Sequence, residues 1–199
     1  MYKQLSRRPA QRSIFSTAHI VAPKVFTPEE AVDIIAIGQS DERKEASIGH
    51  GKSDKTIRSS EINFIGQTEK SVWIFNKLDR AIEWANEHYF GFDLNGYERV
   101  QFTEYKAEDA GHYNWHMDIQ LHNTDQGGVR KLSASVILNN EYEGGAFQVN
   151  VGNQDKPGDV AAKVGDVIVF PSFVPHRVTP VTQGVRYSLV AWVLGPKFI

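Results

Sequence analysis

From about Tyr97 onward the chain is a succession of short strand-like runs, and this restricts its possible folds more than any other feature. The runs are Arg99 to Tyr105, Tyr113 to Gln120, Lys131 to Asn139, Gly145 to Val151, Val160 to Val164, Asp166 to Phe170, Arg177 to Pro180 and Val185 to Leu194. Gly, Asn and Asp clusters separate them at Asn139-Asn140, Gly144-Gly145, Gly152-Asn153 and Gly165-Asp166, the residues that turns favour. About eight short strands with regular turns imply two packed sheets, a double-stranded β-helix or jelly roll, whose open mouth is a natural place for a small-ligand pocket.

Before this region the hydrophobic period is helical. Val25-Phe26-Thr27-Pro28-Glu29-Glu30 announces a helix, with Thr27 as N-cap, Pro28 at the first helical position and Glu30 closing a capping box. It is expected to run to about Gly38, with Ala31, Ile34, Ile35 and Ile37 facing a sheet. A second helix is expected over Thr68 to Tyr89, where Val72, Phe75, Leu78, Ile82, Ala85 and Tyr89 recur at threes and fours and Trp73 and Trp84 thicken the stripe. Such a stripe reads as packing. Between the helices Ser40 to Ser60 is polar and reads as loop, with one short strand around Glu45 to Ile48. The fold class is therefore α+β, mainly β: a jelly roll with N-terminal supporting helices. The organisation expected is an N-terminal arm over residues 1–19 and a single domain over 20–199.

The chain has 199 residues, 41% of them hydrophobic and 11% aromatic, with a formal net charge of -2. That balance gives no electrostatic footprint for nucleic acid. The basic residues Lys3, Arg7, Arg8 and Arg12 read as a solvated arm, and no apolar run of signal-peptide or membrane-spanning length follows, so a cytoplasmic protein with no membrane partner is expected. Cys is absent. Any metal must then be held by His, Asp or Glu, donors that suit iron, manganese or zinc.

His116 and Asp118, in Tyr113-Asn114-Trp115-His116-Met117-Asp118, are two residues apart in a segment that reads as extended, so both side chains face the same way. Alone the pair is compatible with surface decoration. A 2-His-1-carboxylate facial triad needs one more His from a distant strand, and His176, in Phe170-Pro171-Ser172-Phe173-Val174-Pro175-His176, is the candidate. Arg186 lies ten residues later, on Gly184-Val185-Arg186-Tyr187-Ser188-Leu189-Val190-Ala191-Trp192, where it shares a face with Ser188, Val190 and Trp192. A guanidinium inside an apolar barrel requires an anionic partner. That partner is either a distant Asp or Glu or the carboxylate of a bound ligand, to which Ser188 would add a hydroxyl donor.

His116-x-Asp118, His176 and Arg186 at plus ten resemble the metal and cosubstrate signature of the iron(II)- and 2-oxoglutarate-dependent oxygenases, within them the prolyl 4-hydroxylase-type (PKHD-type) group. Tyr105 with Gly111-His112-Tyr113-x-x-His116, Arg130-Lys131-Leu132-Ser133, Tyr142-Glu143-Gly144-Gly145 and the run from His176 to Tyr187 are similar to its bacterial members, and the likeness extends over about residues 20 to 195. The resemblance implies that His116, Asp118 and His176 bind Fe(II) and that 2-oxoglutarate chelates the iron while Arg186 pairs with its other carboxylate. Tyr105 and Ser188 would be further hydrogen-bond donors. It implies O2 as co-reactant, succinate and CO2 as products, ascorbate as a candidate reductant and hydroxylation of an unactivated C-H bond, with Ile137, Phe147, Val178 and Trp192 as candidate apolar lining. The substrate expected is a prolyl or other side chain of a peptide or protein, or alternatively a free amino acid or other small molecule.

Two departures bear on this. Ile137 stands where some animal prolyl hydroxylases have a cosubstrate-contacting Tyr, and the loops Leu121 to Gly128 and Ser40 to Ser60, where relatives place substrate-covering elements, carry no decodable pattern. A repair oxygenase for alkylated nucleic acid would add a second Arg six residues after the first, where this chain has Trp192. A non-catalytic cupin-like binding module would hold its metal with more His and would not need Arg186.

Overall fold

A computed structural model describes residues 17–40, 44–46, 54–119, 128–152 and 157–197. All of the expected loop Leu121 to Gly128 except Gly128, and most of the arm over residues 1–19, fall outside them. Helix α1 (Pro28–Gln39) begins as its sequence dictates: Glu30 N donates to Thr27 Oγ1 at 3.2 Å and Thr27 N donates to Glu30 Oε2 at 2.8 Å, a reciprocal capping box. Helix α2 (Val72–Ala85) is shorter than the expected span because Asn86–Phe90 relaxes into a π-helical turn that ends at Gly91 in the left-handed region. Its buried face runs through Ile74, Phe75, Leu78, Ala81, Ile82 and Ala85, whereas Trp84, expected on that face, is exposed. Among the described residues no helix is long and apolar enough to cross a membrane.

The strands are β1 (Ile20–Ala22), β2 (Lys44–Glu45), β3 (Arg58–Ser59), β4 (Glu61–Phe64), β5 (Gly96–Lys106), β6 (His112–His116), β7 (Val129–Ile137), β8 (Tyr142–Gly144), β9 (Phe147–Val149), β10 (Gly158–Asp159), β11 (Val167–Pro171), β12 (His176–Val178) and β13 (Val181–Gly195). Among the described residues they form two antiparallel sheets: a major one in the order β1-β11-β7-β13-β5-β4-β2, with β8 also paired to β13, and a minor one in the order β10-β9-β12-β6-β3. Two sheets that exchange successive strands make the expected jelly roll. Three expectations shift. The β6 strand stops at His116, so Asp118 lies beyond it; Val160 to Val164 is not a strand; and Tyr142–Gly144 is one.

The major sheet has two differently furnished faces. Outward, Val100, Phe102, Leu132, Ala134, Leu189, Ala191 and Val193 pack with α1 and α2 in one core. Inward, Tyr105, Ile137, Ile168 and Phe170 pack with Phe147, Val149 and Val178 of the minor sheet in a second. Alternation along β13 therefore sends Leu189, Ala191 and Val193 to the helices, leaving Arg186, Ser188 and Trp192 to face the interior of the roll. This is the face-sharing the sequence spacing required.

Candidate metal centre

His116 and His176 are direct partners in the β6–β12 pairing, so two imidazoles 60 residues apart in sequence lie side by side on the minor sheet, with ring centroids 4.1 Å apart. Asp118 is brought to them by its backbone: Asp118 N and Ile119 N both donate to Ser172 O at 2.9 Å, tying the segment after β6 to the turn after β11. One ligand atom from each of His116, Asp118 and His176 lies within 4.8 Å of the others. Asp118 Oδ1 is 3.7 Å from His116 Nε2, and Oδ2 is 3.4 Å from His176 Nε2.

The tautomers follow from the hydrogen bonds. His116 Nδ1 is 2.8 Å from Asn114 O and His176 Nδ1 is 2.9 Å from Val174 O. A carbonyl oxygen only accepts, so both Nδ1 atoms carry the hydrogen and both Nε2 lone pairs point at the shared space. Burial, reinforced by the neighbouring His176 and opposed by Asp118, pushes the His116 imidazole down to about 3, so it is neutral at physiological pH. Burial acts to raise the Asp118 carboxyl, but His176, His116, the Ser133 hydroxyl and Arg130 outweigh it and hold the group below the usual carboxylate range. A neutral His116 imidazole, the His176 ring with its Nε2 turned to the same space and an ionised Asp118 carboxylate thus face one another, and this donor set suits a divalent transition ion.

The surroundings fix these groups in place. Ser133 Oγ donates to Asp118 Oδ2 at 2.7 Å and lies 3.0 Å from Ser172 Oγ. Arg130, ion-paired with Glu98 at 2.6 Å, reaches Asp118 O with Nη1 at 3.3 Å and lies over the Trp192 ring. The Tyr113 ring stacks on His116 with centroids 3.5 Å apart, and Phe170 flanks His176. Sequence reasoning assigned no role to Ser133 or Ser172. The one available signal is a pair of hydroxyl residues in runs otherwise fit for a buried strand.

Arg186 is 1% exposed and pairs across β13–β5 with Tyr105, whose ring lies 5.5 Å from the guanidinium carbon. Nη1 donates to Ser188 Oγ at 3.1 Å, whereas Nε and Nη2 have no partner among the described residues. The internal carboxylate that would have neutralised Arg186 is therefore not among them. Gly145, with φ 59°, stands against its stem; a Cβ there would meet Arg186 Cδ at 2.9 Å. Tyr105, Ile137, Phe147, Val178 and Trp192 are all buried, the first four in the inner core. All six predicted site residues thus reach the roll's interior.

A jelly roll that gathers two imidazoles from neighbouring strands and one carboxylate from the segment just beyond one of them has the donor set of the non-haem iron oxygenases. Residues 100–194 match the model of the 2OG-Fe(II) oxygenase superfamily. A PKHD-type hydroxylase of Synechococcus sp. (strain CC9605) is 36% identical over 83 residues, 41% of this chain and 36% of that protein. Another, of Synechococcus sp. (strain CC9311), is 30% identical over 146 residues, 72% of this chain and 61% of that protein. The chain thus spans less than two thirds of the length of these relatives. Among solved structures, a Pseudomonas putida prolyl-4-hydroxylase superposes with a TM-score of 0.71 at 23% identity, over 90% of this chain and 94% of that one. A Trichoplax adhaerens prolyl hydroxylase, in complex with a hypoxia inducible factor peptide fragment, gives a TM-score of 0.74 at 18% identity, over 90% of this chain and 84% of that one. At these identities the likeness is one of fold.

Proposed function

We propose that the chain is an Fe(II)- and 2-oxoglutarate-dependent dioxygenase, formed by a single domain over residues 20–199 behind an arm, that hydroxylates a C-H bond of a prolyl or other side chain in a peptide or protein. Hydroxylation of a free amino acid or other small molecule by the same residues is the alternative. The observation that carries the reading is the pairing of a 2-His-1-carboxylate cluster with a buried arginine, two of whose nitrogens have no partner among the described residues, both facing one interior. His116, Asp118 and His176 would hold the iron. Arg186, Ser188 and Tyr105 would hold the distal carboxylate of 2-oxoglutarate, since a guanidinium aligned by one hydroxyl presents its remaining N–H groups to a carboxylate in bidentate fashion. With O2, the bound iron and cosubstrate supply the oxidising power that hydroxylates the C-H bond, yielding succinate and CO2.

The protein's own contribution is positional. The Nδ1–H bonds to Asn114 and Val174 hold the imidazole planes, Ser133 and the Ser172 carbonyl hold Asp118, and Ile137, Phe147 and Val178 exclude water from the reacting centre. Peptide substrates enter the proposal through the peptide-bound Trichoplax adhaerens neighbour. The test is succinate formation with a panel of proline-bearing peptides and amino acids, scored by mass spectrometry for a gain of one oxygen. Turnover should require Fe(II) and 2-oxoglutarate and be lost in Asp118→Ala; unimpaired turnover in that variant would sink the triad assignment.

A further inference from the structure

The metal centre and Arg186 do not exhaust the polar content of the interior. On the inner face of β5, Thr103 is 0% exposed and stands opposite Ser188 in the β13–β5 pairing, a position that brings the two Cβ atoms to roughly 5 Å. Gln101, next on the same face, donates from Nε2 to Thr103 Oγ1 at 2.8 Å in a buried bond. An amide N–H only donates, so it occupies a lone pair of the threonine oxygen, and no acceptor for the Thr103 hydroxyl hydrogen is present among the described side chains. Ser188 is in the same condition, because its oxygen receives Arg186 Nη1, a group that also only donates. Two neighbouring hydroxyls, each committed as an acceptor to a nitrogen, therefore have hydrogens to give beside a guanidinium whose Nε and Nη2 have no partner among the described residues.

Such an excess of buried donors is complemented by a group that only accepts and has several lone pairs, which describes an ionised carboxylate. We propose that Thr103 is a binding residue for the distal carboxylate of the cosubstrate, a second hydroxyl donor beside Ser188, held in its donating orientation by Gln101. This rests on the 2-oxoglutarate reading of Arg186. Thr103 lies in none of the motifs that carry the family resemblance, and its signal is purely spatial.

The experiment measures ligand binding, without turnover, to protein loaded with Mn(II) under anaerobic conditions, by calorimetry. Two ligands are compared: 2-oxoglutarate and 2-oxopentanoate, which keeps the chelating 2-oxo acid and chain length but lacks the distal carboxylate. Thr103→Val removes the hydroxyl at nearly constant volume. A lost hydrogen bond to a charged group corresponds to an affinity loss of about 10- to 100-fold. That loss is expected for 2-oxoglutarate, with 2-oxopentanoate and Mn(II) affinities unchanged and Thr103→Ser close to wild type. Should Val at 103 unfold the protein by stranding the Gln101 amide, Gln101→Met/Thr103→Val removes donor and acceptor together, and the same two ligands decide. Equal 2-oxoglutarate binding by wild type and variant, or equal weakening of both ligands, overturns the proposal while leaving the site reading intact. Failure of wild type to bind 2-oxoglutarate at all overturns that reading and this proposal with it.

Discussion

Ser133→Ala isolates what an uncharged neighbour contributes to the candidate metal centre. Ser133 Oγ donates to Asp118 Oδ2 at 2.7 Å, and Asp118 is 6% exposed, so water does not readily take the place of the lost hydroxyl. A hydrogen bond to a charged group contributes about 1.5–3 kcal/mol, and removing an outer partner of a ligating carboxylate typically weakens metal binding by about 10–100-fold. The two figures agree, since roughly 1.4 kcal/mol corresponds to a factor of ten. Replacing the hydroxyl by hydrogen leaves a void of only one oxygen, so packing contributes little to the change. Titration with Mn(II), followed by electron paramagnetic resonance of the free ion, should show that weakening in a protein that still melts cooperatively. Ser135→Ala, on the same face of β7 two residues away, should remain within about twofold of wild type, since the change removes no bond to a ligand. The direction with pH is also set. Ser133 helps hold the Asp118 carboxyl below its usual range, so its loss raises that carboxyl and moves the acid limb of Mn(II) affinity to higher pH. Mn(II) affinity in Ser133→Ala within about twofold of wild type would refute the reasoning that this hydroxyl orders the ligand.

Arg186→Met replaces a buried guanidinium, two of whose nitrogens lack partners among the described residues, with an apolar side chain of similar length. Urea unfolding of the ligand-free protein should show a gain of about 1–3 kcal/mol, accompanied by a loss of 2-oxoglutarate binding of at least about 100-fold; a clear loss of stability would show that Arg186 has a structural partner. The metal-free protein should also lose stability on acidification. His116 is pushed down to about 3 when folded but titrates near its usual value of about 6.5 when unfolded, so the unfolded state takes up the extra proton. Stability is then fully present above about pH 6.5 and falls progressively below it toward the folded value. Urea midpoints measured from pH 8 to 5 should show this slope in wild type and a shallower one in His116→Gln.

What could be read in the sequence divides along the range of the interactions. The capping box of Thr27 and Glu30 and the alternation that sends Arg186, Ser188 and Trp192 to one face are local, and both appear in the structure as spaced. His116, Asp118 and His176 were legible as residue types at motif spacing, yet the reason first given for the first pair was incomplete. Asp118 is beyond the strand and is positioned by the Ser172 carbonyl, a contact between residues far apart in sequence. Ser133 and Thr103 were invisible for the same reason, since a buried hydroxyl in a strand acquires meaning only from what the neighbouring strand places beside it. Trp84 shows the reverse error. Its helical spacing suggested burial, but the face of α2 that meets the sheet runs through Ile74, Leu78 and Ala81.

The position of β13 between β5 and β7 has a consequence for how the molecule comes into being. Until residues 181–195 are in place, the major sheet is two fragments with facing open edges, the kind of surface that recruits strands from other chains. A chain emerging from the ribosome therefore completes all three candidate metal ligands before it can close its largest sheet. Arg186 is delivered by that same closing strand. A molecule that presents the Arg186 guanidinium is for this reason one whose central sheet has already formed, whereas His116, Asp118 and His176 all precede the closing strand in the chain.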